Sequence, residues 1–196
     1  MGTQFEPAYL ALARTGELQA RARVAGQRLT ECALCPHRCG VDRSAGEQGI
    51  CQTSARAVVA SYHAHFGEER PLVGHGGSGT IFFAYCNLKC VFCQNHDISH
   101  AGHGQEVEPR QLAAIMLHLQ AAGCHNINLV SPTHVAPQIL SALAIAATQG
   151  LHVPLVYNTG GYDALDTLHL LDGIIDIYMP DMKYSDPAVG RRYSGA

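Results

Sequence analysis

The hydrophobic pattern divides the chain into three stretches. From Pro7 to about Leu29, apolar residues recur at Leu10, Ala13, Leu18, Val24 and Leu29 with basic residues between them. That spacing predicts one or two short helices, broken near Gly16, in an N-terminal helical segment covering residues 1–30. Residues 31–79 are loop-rich and hold a group of cysteines, with a strand predicted over the apolar run Ala57 to Ala60. The stretch Gly74 to Gly79 precedes a strand instead of linking a strand to a helix, so it reads as a flexible turn and not as a dinucleotide loop. Residues 80–196 form the third stretch. There the pattern predicts strands at Thr80 to Tyr85, Asn128 to Val130, His152 to Tyr157 and Ile174 to Met179. Helices are predicted over Pro109 to Ala122, Ala136 to Thr148 and Asp163 to Leu171.

Strands alternating with helices across short turns predict an α/β fold with parallel strands. In such folds functional groups gather in the loops leaving the carboxyl ends of the strands. Each predicted strand of the third stretch is followed at once by an unusual polar sequence: Cys86 to Asn95, Ser131-Pro132-Thr133-His134, Asn158-Thr159-Gly160-Gly161 and Pro180-Asp181-Met182-Lys183. All four loops are expected to meet at one end of the sheet. A sheet of only these strands would leave an edge unpaired, which proteins usually cover or blunt. The chain is therefore expected to be a fragment of a longer enzyme, unless the cysteine-rich module or a partner covers that edge.

Composition narrows the function. Hydrophobic residues make up 47% of the 196 and charged residues 15%, a globular balance with a real core. The net charge of −3 offers no basic surface for a phosphate backbone, which argues against nucleic acid as a partner. No basic-then-apolar leader or membrane span is evident, and a cytoplasmic location is expected. In that compartment eight cysteines should serve metals or redox chemistry, not disulfides. Seven fall into two groups, Cys32, Cys35, Cys39 and Cys51, then Cys86, Cys90 and Cys93. Cys124 stands alone beside small residues and reads as core.

Cys86-Asn87-Leu88-Lys89-Cys90-Val91-Phe92-Cys93 presents three thiols spaced by three and two residues. Thiolates are the usual ligands of iron-sulfur clusters, and three local ligands on a four-iron cubane leave one iron open to a substrate. The other group, with four thiols, fits a structural zinc or a second cluster. His96, His100 and His103 share one polar loop that reads as a solvated lid, and His134 is a further candidate for cofactor or substrate contact.

The CxxxCxxC spacing with Phe92 before the last cysteine resembles the signature of the radical S-adenosylmethionine superfamily. Within it the chain looks most like pyruvate formate-lyase activating enzyme-like proteins, in an uncharacterised branch. The segments that carry this likeness are Cys35-Pro36-His37-Arg38-Cys39-Gly40-Val41, His65-Phe66-Gly67-Glu68-Glu69, Ser131-Pro132-Thr133-His134 and Tyr178-Met179-Pro180-Asp181-Met182-Lys183. The resemblance implies a partial (β/α) barrel of six units, of which this chain would hold the first four. It implies a [4Fe-4S] cluster on Cys86, Cys90 and Cys93, and S-adenosylmethionine as cosubstrate. A reducing electron donor would drive cleavage to a 5'-deoxyadenosyl radical that takes hydrogen from a substrate, in activating enzymes a glycine of a partner protein.

By position in the motif, the backbone of Phe92 would meet the adenine, and Thr133 would stand where relatives carry Gly-Gly-Glu against the methionine amino group. The glutamate is missing here. Asn158, Thr159, Asp181 and Lys183 would hold ribose or carboxylate. The alternative reading is a non-catalytic iron-sulfur or zinc-binding module, or an inactive truncated homologue.

Overall fold

The structure, a computed structural model, describes residues 5–196, so the first four residues of the N-terminal segment lie outside it. Two helices open the described chain, α1 (Ala8–Thr15) and α2 (Glu17–Gln27). Between them Gly16 adopts φ 80°, a left-handed conformation that glycine enters without a Cβ clash. The break expected near Gly16 is therefore where the chain turns. The Tyr9 hydroxyl donates to the Val153 carbonyl at 3.0 Å, and the Ala8 amide donates to Asp176 at 2.9 Å, which fastens α1 to the far end of the sheet.

Six strands follow: β1 (Ala57–His65), β2 (Ser78–Phe83), β3 (Gln105–Val107), β4 (Ile127–Val130), β5 (Leu155–Thr159) and β6 (Ile177–Pro180). They form one sheet in the order β3-β1-β2-β4-β5-β6. The pairs β2/β4, β4/β5 and β5/β6 are parallel, as the alternation of elements predicts. β1 runs antiparallel to both β2 and β3, so the edge of β2 is covered from within the chain. The boundary expected at Gly79 falls inside β2, and residues 57–65 of the cysteine-rich stretch are part of the same sheet.

The remaining helices are α3 (Arg70–Val73), α4 (His96–Ser99), α5 (Pro109–Ala121), α6 (Ala136–Thr148), α7 (Leu165–Leu171) and α8 (Pro187–Ser194). A reciprocal cap starts α5: the Glu108 side chain accepts from the helix, and Gln111 accepts from the Glu108 amide at 2.8 Å. Leu112, Met116 and Leu119 of α5 and Ile139, Leu140 and Leu143 of α6 form one core with Ile81, Ile127, Leu129 and Leu155 of the sheet. Burying each such side chain contributes roughly 1.5–3 kcal/mol. Successive strand residues point to opposite faces, so the other face carries Thr80, Phe82, Asn128, Val130 and Asn158. Among the described residues no helix is long and apolar enough to cross a membrane.

Candidate functional site

Beyond β2 the chain turns sharply at Tyr85, which holds φ 65°, and enters the loop Cys86 to Cys93. Ser131, directly after β4, holds φ 57°. Two adjacent parallel strands therefore end in left-handed, non-glycine residues, a costly conformation that concentrates at functional sites. The cysteine loop is pinned from several sides. The amides of Lys89 and Val91 donate to the carbonyls of Ser194 and Tyr193 at 2.8 and 2.9 Å, so the end of α8 docks on it. The Asn87 side chain donates to the Tyr162 carbonyl at 2.6 Å, and a ring nitrogen of His37 donates to the Asn87 carbonyl at 2.8 Å.

All three thiols of this loop line one cavity of about 420 Å³. Each sulfur has a polar neighbour. The Leu88 amide approaches Cys86 Sγ at 3.4 Å, the Ser194 hydroxyl donates to Cys90 Sγ at 2.8 Å, and Cys93 Sγ lies 3.1 Å from the Ser99 hydroxyl. Burial raises the Cys86 thiol pKa above its ordinary value. Phe92 also lines the cavity, with its ring half exposed and edge-on to Tyr184 at 6.1 Å.

Asn158, Thr159, Asp181 and Lys183, from the ends of β5 and β6, reach the same cavity. Lys183 Nζ donates to Asp181 at 2.5 Å. Burial works against the lysine charge, but Asp181 and the neighbouring Cys90 and Cys86 outweigh it and the pKa rises.

Thr133 is placed differently from expectation. Its side chain is buried and does not line the cavity; Ser131, two residues earlier, does. The Thr133 and Thr159 hydroxyls each donate to Asp163 at 2.6 Å, and the Tyr157 hydroxyl donates to it at 3.0 Å. The physical reason is local: residues 133–135 form a turn of 3-10 helix leading into α6, which carries Thr133 behind the strand ends. His134 is likewise buried, its Nε2 donating to the Ala84 carbonyl at 3.0 Å. Burial lowers its pKa to about 3, so the ring is neutral at ordinary pH.

Other members of the site carried no clear sequence signal. Asp163 reads as the start of a helix, Ser194 and Tyr184 lie far from the motif, and His65 and Glu68 were marked only by family likeness. Burial, then the neighbouring Glu69, raises the Glu68 pKa. The histidine loop is more ordered than a solvated lid: α4 begins it, the rings of His96 and His100 stack at 4.5 Å, and Ser99 is buried against the cavity.

The other cysteine group lies elsewhere. Cys32, Cys35, Cys39 and Cys51 line a separate space of about 10 Å³ together with Arg43 and His134. Burial pushes the Cys35 thiol up to about 11. Among the described residues, no three His, Cys, Asp or Glu side chains converge closely enough to hold a single ion as they stand.

A family model described as the radical SAM superfamily matches residues 80–195. Over 186 residues the chain is 35% identical to an uncharacterized protein of Methanocaldococcus jannaschii, a match covering 90% of this chain and 52% of that protein. The chain thus spans about half the length of that relative.

Proposed function

The chain belongs to the radical SAM superfamily, and from that membership we propose that it is a radical S-adenosylmethionine enzyme with Cys86, Cys90 and Cys93 as its cluster ligands. The observation that carries this reading is the meeting of those three thiols with the polar ends of β5 and β6 in one cavity. The donor set fits a [4Fe-4S] cluster with one open iron, because three thiols line the cavity and, among the described residues, no fourth one does. Polar neighbours at the sulfurs fit it too, since hydrogen bonds to cluster sulfur tune the potential. When bound, the reduced cluster supplies the electron for reductive cleavage of S-adenosylmethionine, which leaves a radical able to take hydrogen from a substrate.

The chain's own residues bind, orient and exclude water. Asn158 and Thr159 offer amide and hydroxyl groups to a ribose, and Lys183 offers its ammonium to a carboxylate, oriented by Asp181. The half-exposed Phe92, which lines the cavity, would meet the adenine through its backbone. Thr133 supports Thr159 from behind through Asp163. The finer reading, in which that hydrogen belongs to a glycine of a partner enzyme, rests on the likeness of Tyr178 to Lys183 and the other quoted segments to activating enzymes.

Anaerobic reconstitution with iron and sulfide, followed by electron paramagnetic resonance of the reduced protein with and without S-adenosylmethionine, tests the proposal. A cubane signal that shifts with S-adenosylmethionine and disappears in Cys90→Ala supports it. A cluster indifferent to S-adenosylmethionine leaves a binding module in its place.

A further inference from the structure

Arg43 is the largest fully buried side chain among the described residues, at 0% exposure. A guanidinium is cationic at any pH a folded protein meets, and burying such a charge is costly unless it is paired. Among the described residues Arg43 is in no ion pair. Its partners are two carbonyls, of Ser54 at 2.9 and 3.1 Å and of His134 at 2.8 Å, and the sulfur of Cys32 at 3.9 Å. Carbonyls satisfy its N–H groups but not its charge. Among the described residues no aspartate or glutamate lines the space that Arg43 shares with Cys32, Cys35, Cys39 and Cys51.

The backbone around these cysteines is shaped at a cost. Arg38, just before Cys39, holds φ 43°, and Gln52, just after Cys51, holds φ 57°. Non-glycine residues persist there only where the surroundings over-determine them. Gly49 passes so close that a Cβ would stand 2.7 Å from Cys39 Sγ, so its missing side chain makes room for that thiol. Turn bonds from the Gly40 amide to Cys32 and from the Arg38 amide to Cys35, at 2.9 and 3.0 Å, fold the segment so that its thiols ring one space.

We propose that Cys32, Cys35, Cys39 and Cys51, which line one space without converging on a single ion as they stand, close around a thiolate-ligated metal centre whose negative charge is the counter-ion of buried Arg43. Four thiolates around a divalent zinc, or around an oxidised four-iron cubane, each carry a net charge of about −2. The shared chemistry is a closed, fully thiolate-bound centre with no open position, which is the mark of a structural site. Its place in the fold gives it a task. Arg43 donates to the His134 carbonyl, and the His134 ring donates to Ala84, two residues before Cys86. The centre therefore braces the strand end that presents the cavity's first cysteine.

The test uses the full chain with Cys86, Cys90 and Cys93 all changed to Ala, so that the reaction cavity contributes no metal and the outcome is independent of the proposed reaction. Purified under reducing, anaerobic conditions, this variant is expected to carry either about one zinc, or about four irons with matching sulfide, per chain. The metal found decides between ion and cubane. Adding Cys35→Ser and Cys51→Ser should remove it. Thiol titration of the folded chain gives a second readout: about four thiols should become reactive only after the metal is stripped. A folded variant with neither zinc nor iron-sulfide, and with these thiols freely reactive, overturns the proposal. Should the triple variant fail to fold, the reconstituted wild type is compared with Cys35→Ser/Cys51→Ser, and equal metal contents overturn it.

Discussion

The two cysteine groups line separate spaces, linked through Arg43 and His134, and face opposite demands. The four thiols of Cys32, Cys35, Cys39 and Cys51 line a space of about 10 Å³ beside Arg43, a buried cation that makes no ion pair among the described residues. The three thiols of Cys86, Cys90 and Cys93 open onto about 420 Å³, and the cation there, Lys183, is partly solvated and paired with Asp181. A narrow space with a buried charge suits a centre that never releases a ligand. An open wall with an exchangeable charge suits one that admits a cosubstrate. On the two proposals the same residue type would serve two purposes, separated by ligand count, enclosure and the nearest positive charge.

The sharpest way to break this comparison is to remove thiols from one group and read the other. Cys86→Ala, Cys90→Ala or Cys93→Ala is expected to abolish S-adenosylmethionine cleavage while leaving the metal of the other group in place, checked by product analysis and metal content together. Loss of both metals from one such change would mean a single shared site. Next in size is Arg43→Leu, which would leave a buried anionic centre without its counter-ion. Breaking a buried charge pair from one side costs on the order of 3–5 kcal/mol, to be read as a lowered urea midpoint and loss of bound metal. Lys183→Gln should do nothing of the kind.

The floor of the open cavity yields a smaller effect. Asp163→Ala strips the shared acceptor from the hydroxyls of Thr133, Thr159 and Tyr157. Leaving buried hydroxyls unsatisfied costs about 1–3 kcal/mol, measurable by denaturant unfolding, and should loosen Thr159 at the cavity wall. His134, the bridge between the two groups, makes a contribution that depends on pH. Its folded pKa of about 3 lies below the ordinary histidine value because of burial. The unfolded chain then binds the proton first, so the stability this ring contributes is complete above about pH 6.5 and is lost as pH falls toward 3. Unfolding followed from pH 7 to pH 4 should fall less steeply in His134→Leu than in the wild type; parallel curves would remove the ring from the account.

How much of this is legible in sequence follows from where burial acts. The parallel strands announce themselves as short apolar runs between helical patterns, and the cysteine loop because its spacing is short-range. The far half of β1, Ser61 to His65, is polar and largely exposed, and β3 is a three-residue polar edge; hydrogen bonding to a neighbour, not hydrophobic pattern, makes them strands. Arg43 reads as one more loop arginine, since nothing local says that its guanidinium is enclosed by residues as distant as His134. Thr133 sits in the right loop by position, yet the 3-10 turn rotates its hydroxyl to Asp163, a contact of tertiary origin. The docking of Tyr193 and Ser194 on the cysteine loop is of the same kind.

Lys183 supplies the smallest effect and the finest test of the comparison. A partly exposed lysine paired with an exposed aspartate contributes little to stability, roughly 0–1 kcal/mol, because water and salt screen the pair. Its value should appear only when a ligand enters, as the ammonium exchanges solvent and Asp181 for a carboxylate in a more enclosed setting. Lys183→Gln is therefore expected to leave the unfolding midpoint nearly unchanged while raising the KM for S-adenosylmethionine severalfold, with a smaller effect on kcat. The pair would be only a surface ion pair if KM stayed put, and the open group would then bind its cosubstrate without help from β6. A change in stability as large as that of Arg43→Leu would instead mean that the two cations are held alike, and that enclosure does not distinguish the two cysteine groups.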